Sequence, residues 1–365
     1  MKTDSLSAQK VLIVNAEIPW GGLGQYAINL AYGLTNEGFR AFGLITHSDE
    51  GRYNEFAANT SGTFFVGVYG KFRKYIEIAR YIWRIRPDFL LLNNNAPAQI
   101  LLPFLPKCKV VSVIHSDDDR YYRISMINWR YVNAWVAPTQ RIKDGLIQYA
   151  AHNKVRDRVK VIPHGVWPSN NTNGKRTNDT FNIVFIGYLH DYKGVDLLPD
   201  IFLRFRQICS DKNSHLTVIG GGHNAEMLRE RFNELGLSQF VTMTGVISQE
   251  QVRSCLSNMD VLLFPTWLEA FGLVIAEAMI EGVVPVVSLL PGVTDTIIQD
   301  RVTGFLVEKN NIDGFVSALV QLCNNKSVLS AMSTKCQSTA NEKYTLGSMS
   351  HNYGLLFHEM SAPVR

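Results

Sequence analysis

Short runs of apolar, mostly β-branched residues recur along this chain, and between them apolar positions return every three or four residues. The runs lack polar alternation, as expected of strands covered on both faces, while the stretches between them carry the helical period. Alternation of the two patterns predicts an α/β architecture with parallel sheets. The strands fall into two sets. The first comprises Val11–Val14, Ala41–Ile45, Phe89–Leu92, Val110–Ile114, Ala134–Val136 and Val159–Ile162. The second comprises Asn182–Ile186, Leu216–Ile219, Val241–Met243, Val261–Phe264 and Val284–Val287.

Between the sets lies Pro168–Thr180, PSNNTNGKRTNDT, without an apolar residue and rich in Asn, Ser, Gly and Pro, which reads as an exposed connection. The predicted organisation is a Rossmann-like N-terminal domain over 1–167, a linker over 168–180, a second Rossmann-like domain over 181–344, and a C-terminal helix over 345–365 that packs back on the first domain. Ala27, Leu30, Ala31 and Leu34 form one apolar helical stripe ending at Gly38, and Ser248 with Gln251 makes a capping box.

Composition narrows the function classes. A chain of 365 residues accommodates two such domains. Lys and Arg exceed Asp and Glu by 36 to 32, a net charge of +4 that suits a phosphate-bearing ligand and equally an ordinary solvated surface; no nucleic-acid partner is expected. The five cysteines are scattered, with no CxxC pair, so neither a disulfide framework nor a zinc site is indicated and a cytoplasmic setting is the default. MKTDSLSAQK is polar, so no export leader is expected, and no apolar run approaches the roughly 20 residues that cross a bilayer. Membrane contact is then peripheral. The segment KFRKYIEIARYIWRIR, 71–86, is basic with an opposing apolar stripe, a pattern shared by helices that lie on anionic membranes and by helices packed on a core.

The densest chemistry lies in FPTWLEAFGLVIAEAM, 264–279: a buried strand, a short loop with Glu269, then Gly272 and a helix carrying Glu277. In parallel α/β sheets ligands bind beyond the carboxyl ends of the strands, which places Glu269 at a binding rim. A helix starting near Phe271 would turn its free N–H groups toward that rim, where a diphosphate fits, and Glu277, about two turns on, would accept from ribose hydroxyls. In the first domain Gly21, Gly22 and Gly24 read as a loop whose backbone can approach a phosphate or sugar. Gly22, Gly24 and Ala27 also satisfy the dinucleotide fingerprint, yet AEIPW separates strand from glycines, a longer loop than that fold uses.

The paired acids Glu269 and Glu277, after a strand ending in Pro, resemble the signature of glycosyltransferase family four, retaining enzymes of GT-B fold. PWGGLGQYAINLAYGL, VIPHGV, FIGYLHDYKGVDLL, LTVIGGG, VTMTGVIS and RVTGFLV resemble family segments in the same order along nearly the whole chain. The resemblance implies two Rossmann-like domains facing each other across a cleft. The second would hold a nucleoside-diphosphate sugar and the first would offer a glycan or lipid-linked acceptor, at or near the inner face of the membrane, in cell-surface polysaccharide or lipopolysaccharide synthesis. It assigns Glu269, His115 and Lys193 to catalysis. Gly22, Gly187, Tyr188, Lys193, Val246, Phe271, Gly272, Leu273 and Glu277 go to the donor.

Departures from the pattern matter. The family usually has Arg after the glycine of GYLHDYKG, whereas Gly187 is followed here by Tyr188, so one of two cations expected on the leaving diphosphate is missing. His164, where the family commonly has Asn, is read as a hinge residue. Asp117, Asp118 and Asp119 would suit a cation, but the two-sheet pattern argues instead for helix capping or acceptor contact, and no metal or other cofactor is expected. Two rival readings fit the same residues: a nucleotide-sugar epimerase of the same fold, which needs no acceptor, and a non-catalytic glycan-binding or scaffold relative.

Overall fold

A computed structural model describes residues 9–48, 51–67, 70–150, 153–169, 180–210 and 213–362. Most of the predicted linker, 170–179, lies outside these. The chain divides into two compact units, Met1–Val166 with Tyr344–Arg365, and Trp167–Lys343.

In the first unit the chain runs β1 (Lys10–Asn15), α1 (Gly22–Asn36), β2 (Arg40–Ile45), α2 (Tyr53–Ala58), β3 (Thr63–Phe65), α3 (Lys71–Ile85), β4 (Phe89–Asn93), α4 (Ala96–Leu101), β5 (Lys109–Val113), α5 (Asp119–Met126), β6 (Ala134–Ala137), α6 (Gln140–Ala150), α7 (Asn153–Arg156) and β7 (Val159–Val161). The seven strands are all parallel in the order β3-β2-β1-β4-β5-β6-β7. Val11–Val14 and Phe89–Leu92 are fully buried, which explains their unbroken apolar runs.

The second unit runs β8 (Phe181–Ile186), α8 (Leu198–Ile208), β9 (Ser214–Ile219), α9 (Ala225–Glu234), β10 (Val241–Gly245), α10 (Gln249–Leu256), β11 (Val261–Phe264), α11 (Leu273–Ile280), β12 (Val284–Ser288), α12 (Thr294–Ile297), β13 (Phe305–Val307), α13 (Ile312–Asn324) and α14 (Lys326–Lys343). Its six strands are parallel in the order β10-β9-β8-β11-β12-β13. Ser248 and Gln251 form the expected reciprocal capping box on α10. Strands β3 and β13 were not anticipated. Both have three residues and sit at sheet edges. Gly304 admits β13: a Cβ there would lie 2.5 Å from the Pro285 carbonyl oxygen.

Strand order reverses between β1 and β4 in the first sheet and between β8 and β11 in the second. Loops leaving such a pair diverge to opposite faces, and the crevice between them is where α/β sheets take ligands.

The last helix, α15 (Leu346–Ser361), belongs to the first unit. It packs along α1, where Gly33 brings the helices so close that a Cβ would meet Ser350 Cβ at 3.0 Å. Phe357 stacks on Phe89 at 4.2 Å, and Tyr353 Oη shares a 2.6 Å hydrogen bond with Tyr26 Oη, both rings being fully buried. Removing one of two such hydroxyls strands the other out of water. Tyr353→Phe is therefore expected to lower unfolding stability by about 1–3 kcal/mol in urea titration, an unchanged midpoint denying the bond that role.

Candidate active site

In the second unit the turn after β8 and the loop after β11 meet. Lys193 ends a 3₁₀ turn, Asp191–Lys193, and Glu269 lies in the 265–272 loop. Their positions are fixed by the backbone. Gly194 takes a left-handed φ of 64°, and a Cβ there would lie 2.0 Å from the Pro265 carbonyl oxygen, so only glycine lets the two segments pack. Trp267 N donates to the Tyr192 carbonyl at 2.8 Å, and Thr266 Oγ1 donates to the same oxygen at 3.2 Å. Lys193 Nζ then donates to Glu269 Oε1, with the two side chains only 15% and 11% exposed. The ammonium also lies 5.2 and 5.4 Å from the ring centres of Tyr192 and Phe264. A lysine and a glutamate 76 residues apart thus form a nearly buried ion pair at the point where strand order reverses.

Beside it, α11 starts at Leu273 rather than near Phe271. Gly272 precedes it with φ 90°, no side chain caps it, and its first turn holds no acid. The free N–H groups of that turn remain available to an anion. Phe271 is buried and anchors the loop. Glu277 stands four residues after Leu273, a little over one turn along instead of two, and accepts from Gln249 Nε2 at 2.6 Å. Gly187 follows β8, and Val246, 72% exposed, follows β10 at the same sheet edge. Gly220 and Gly222 press on the backbone there: Cβ atoms would come within 1.8 Å of the Gly187 oxygen and 2.4 Å of the Leu189 oxygen. Tyr188 is 55% exposed on this rim, its ring 6.0 Å from His190. Arg301 pairs with Asp300 near β13, and Arg141 donates to Asp117 in the first unit.

The first unit carries His115, just past β5. Its Nε2 lies 3.1 Å from Asn93 Oδ1, while Asn93 Nδ2 donates to Asn15 Oδ1 at 2.8 Å. Since that Asn93 oxygen only accepts, His115 carries its proton on Nε2, leaving Nδ1 as an acceptor without a partner in this structure. Burial pushes the imidazole down from 6.5 to about 3, so the ring is neutral at physiological pH. Tyr26 lies against both His115 (4.8 Å) and His164 (4.2 Å). His164 is a buried member of this aromatic cluster, and burial followed by its proximity to His115 pushes it well down too. Asn15 and Asn93 carried no motif in the sequence and Tyr26 no assigned role in the segment that contains it; only topology brings them together.

Other expectations shift. Gly21, with φ 103°, precedes α1, while Gly22 and Gly24 already lie in its first turn rather than in the loop. Gly24 serves packing, since a Cβ would meet the Pro19 oxygen at 1.9 Å. The three aspartates do not converge: Asp118 caps α5 and pairs with Arg120, and Asp117 accepts from Tyr122 and Arg141. Among the described residues, His190, Asp191 and His223 do group, with ligand atoms within 4.8 Å of one another.

Family models match both units: one for glycosyl transferases group 1 over residues 169–342, the other for glycosyltransferase family 4 over 20–169. This chain belongs to the family-four, group 1 glycosyltransferases. Among curated relatives, the O-antigen chain mannosyltransferase C of Escherichia coli is 24% identical over 75% of this chain and 76% of its own length. Several other relatives match over about half of theirs. Among solved structures, Anabaena HepE in complex with UDP and glucose aligns with a TM-score of 0.79 at 16% identity over 96% of this chain and all of that one. The lipopolysaccharide outer core galactosyltransferase WaaB in its apo form aligns with 0.73 at 17% over 96% and 99%. Those likenesses give the fold, GT-B.

In this family-four member the neutral histidine has a pH signature. Because the folded value of His115 is depressed, its contribution to stability is complete above 6.5 and is lost as pH falls toward about 3. Urea midpoints are expected to fall over that interval, and less steeply in His115→Asn; parallel slopes in the two proteins would contradict the buried neutral ring.

Proposed function

We propose that this chain is a retaining glycosyltransferase that moves a sugar from a nucleoside diphosphate to a glycan or lipid-linked acceptor in cell-surface polysaccharide or lipopolysaccharide synthesis. The observation that carries the reading is the Lys193–Glu269 ion pair beside the uncapped start of α11. A sugar diphosphate brings both partners that this pair lacks. Its phosphates attract the ammonium, and the sugar, as it becomes oxocarbenium-like, attracts the carboxylate. Lys193 and the α11 amides then stabilise the departing diphosphate, and Glu269 orients the sugar or balances its positive charge. Glu277 receives the ribose. Val246, Leu273, Gly187 and Tyr188 border the nucleotide and phosphates. His115, neutral and with Nδ1 open, accepts from a sugar hydroxyl, and the backbone N–H groups of Gly22 and the first turn of α1 supply further donors. None of these roles calls on a metal, so transfer is expected to continue in excess chelator. We place the reaction on the cytoplasmic side of a membrane that carries the acceptor. The likeness to a mannosyltransferase and to a protein solved with UDP makes uridine diphosphate sugars and a nucleoside-diphosphate mannose the first donors to screen by thermal shift.

Three results test the reading. Glu269→Gln is expected to stay folded by circular dichroism and lose transfer by about a hundredfold or more, and full activity would remove Glu269 from the site. NMR of the product is expected to show the donor's anomeric configuration, inversion being incompatible with the proposal. Tyr188→Arg adds the missing cation: donor KM is expected to fall roughly tenfold, about 1.4 kcal/mol, with kcat little changed, whereas an unaltered KM would place Tyr188 away from the phosphates.

A further inference from the structure

In the second unit the turn after β8 runs beside the loop that joins β9 to α9. Backbone hydrogen bonds clamp the two: Leu189 N donates to the Gly221 carbonyl at 2.9 Å, and Asn224 N donates to the Leu189 carbonyl at 3.2 Å. Gly222 permits the approach, since a Cβ there would lie 2.4 Å from the Leu189 oxygen. This backbone register sets His190 and Asp191 of one segment against His223 of the other. The two imidazoles meet edge to face with ring centres 4.4 Å apart, and His223 Nε2 lies 3.9 Å from Asp191 Oδ1. One ligand atom from each of the three residues lies within 4.8 Å of the others.

The chemistry of the three is that of a metal site. His190 is half-buried, and its Nδ1 is shielded from water without a hydrogen-bond partner, a polar atom that coordination would satisfy. Asp191 Oδ1 accepts from Nδ2 of the buried Asn224 at 2.5 Å, an outer contact of the kind that orients metal-binding carboxylates. Lys193, two residues on, directs its ammonium to Glu269, and among the described residues no Lys or Arg pairs with Asp191. Two imidazoles with one carboxylate suit zinc, nickel or copper, whereas magnesium and calcium favour all-oxygen sets. Ligand atoms around a bound zinc stand roughly 3.4 Å apart, from bond lengths of about 2.0–2.2 Å. Asp191 and His223, with side chains 66% and 52% exposed, have the freedom to close the remaining distance around His190.

We propose that His190, Asp191 and His223 bind one zinc ion, which ties the turn carrying Lys193 to the loop before α9. Three protein ligands leave a coordination position open to water or an anion. No ligand is a residue assigned to transfer, and the site is read by ion binding without donor or acceptor. It therefore stands or falls apart from the proposed reaction, whose roles call on no metal.

Titration of the untagged, chelator-stripped full chain with Zn²⁺ against a chromophoric indicator tests it. One equivalent is expected to bind and to raise the thermal midpoint, and an excess of Mg²⁺ should not displace it. His223→Ala and Asp191→Asn lie at exposed positions, so each should keep the metal-free midpoint of the parent while weakening zinc binding at least about tenfold. His190→Ala should weaken it as much; if that variant fails to fold, the two exposed ones decide. Co²⁺ in place of Zn²⁺ is expected to show d–d absorption without the sulfur charge-transfer band that ligation by any of the five cysteines would add. Parent-like affinity in His223→Ala and Asp191→Asn, displacement by Mg²⁺, a sulfur charge-transfer band, or no saturable binding by the parent would each overturn the assignment.

Discussion

A lysine ammonium and a glutamate carboxylate, both almost removed from water, touch at the carboxyl edge of the second sheet. Taking two charges out of water is unfavourable, and their attraction repays it only when the geometry is held. Here the backbone holds it. Gly194 lets the turn after β8 press on Pro265, and hydrogen bonds from Thr266 and Trp267 to the Tyr192 carbonyl lock the loop after β11 to that turn. In the proposed reaction a ligand with negative phosphates and a sugar that develops positive charge would offer each member of the pair a further partner. The glycines at 220 and 222 extend the same logic, since close backbone passage along β8 and β9 leaves Tyr188 and Val246 standing at the rim.

The first unit solves a different problem. It buries two histidines beside a tyrosine, and burial keeps both imidazoles neutral. Asn93, itself oriented by Asn15, sets the tautomer of His115 and turns one nitrogen into an open acceptor. Helix α15 supports this cluster through Tyr353, and Asn29 of α1 donates to the Gly165 carbonyl at 2.7 Å, so the residue after His164 is held by α1. A segment more than three hundred residues from Tyr26 therefore helps to hold the ring that lies against both histidines.

The surface of α3 shows where pattern alone runs out. One apolar stripe among basic residues suits a core helix and a membrane helix equally. Packing divides the apolar residues into two stripes, one buried and one exposed beside a row of arginines, and that division exists only once α3 is packed.

By itself the sequence determined the parallel α/β class, eleven of the strands, the capping box on α10 and the family, because unbroken apolar runs, local turn chemistry and ordered motifs are short-range features. It missed β3 and β13, whose three residues gain meaning only as edges of a formed sheet. It set the start of α11 two residues early, since the left-handed turn at Gly272 depends on how the loop packs. It placed Gly22 and Gly24 on a loop, where the fold makes them the first turn of a helix closed against Pro19. The ion pair, the neutral histidine and its asparagines join residues far apart in the chain. Strand order, which no local pattern encodes, decides which distant loops become neighbours.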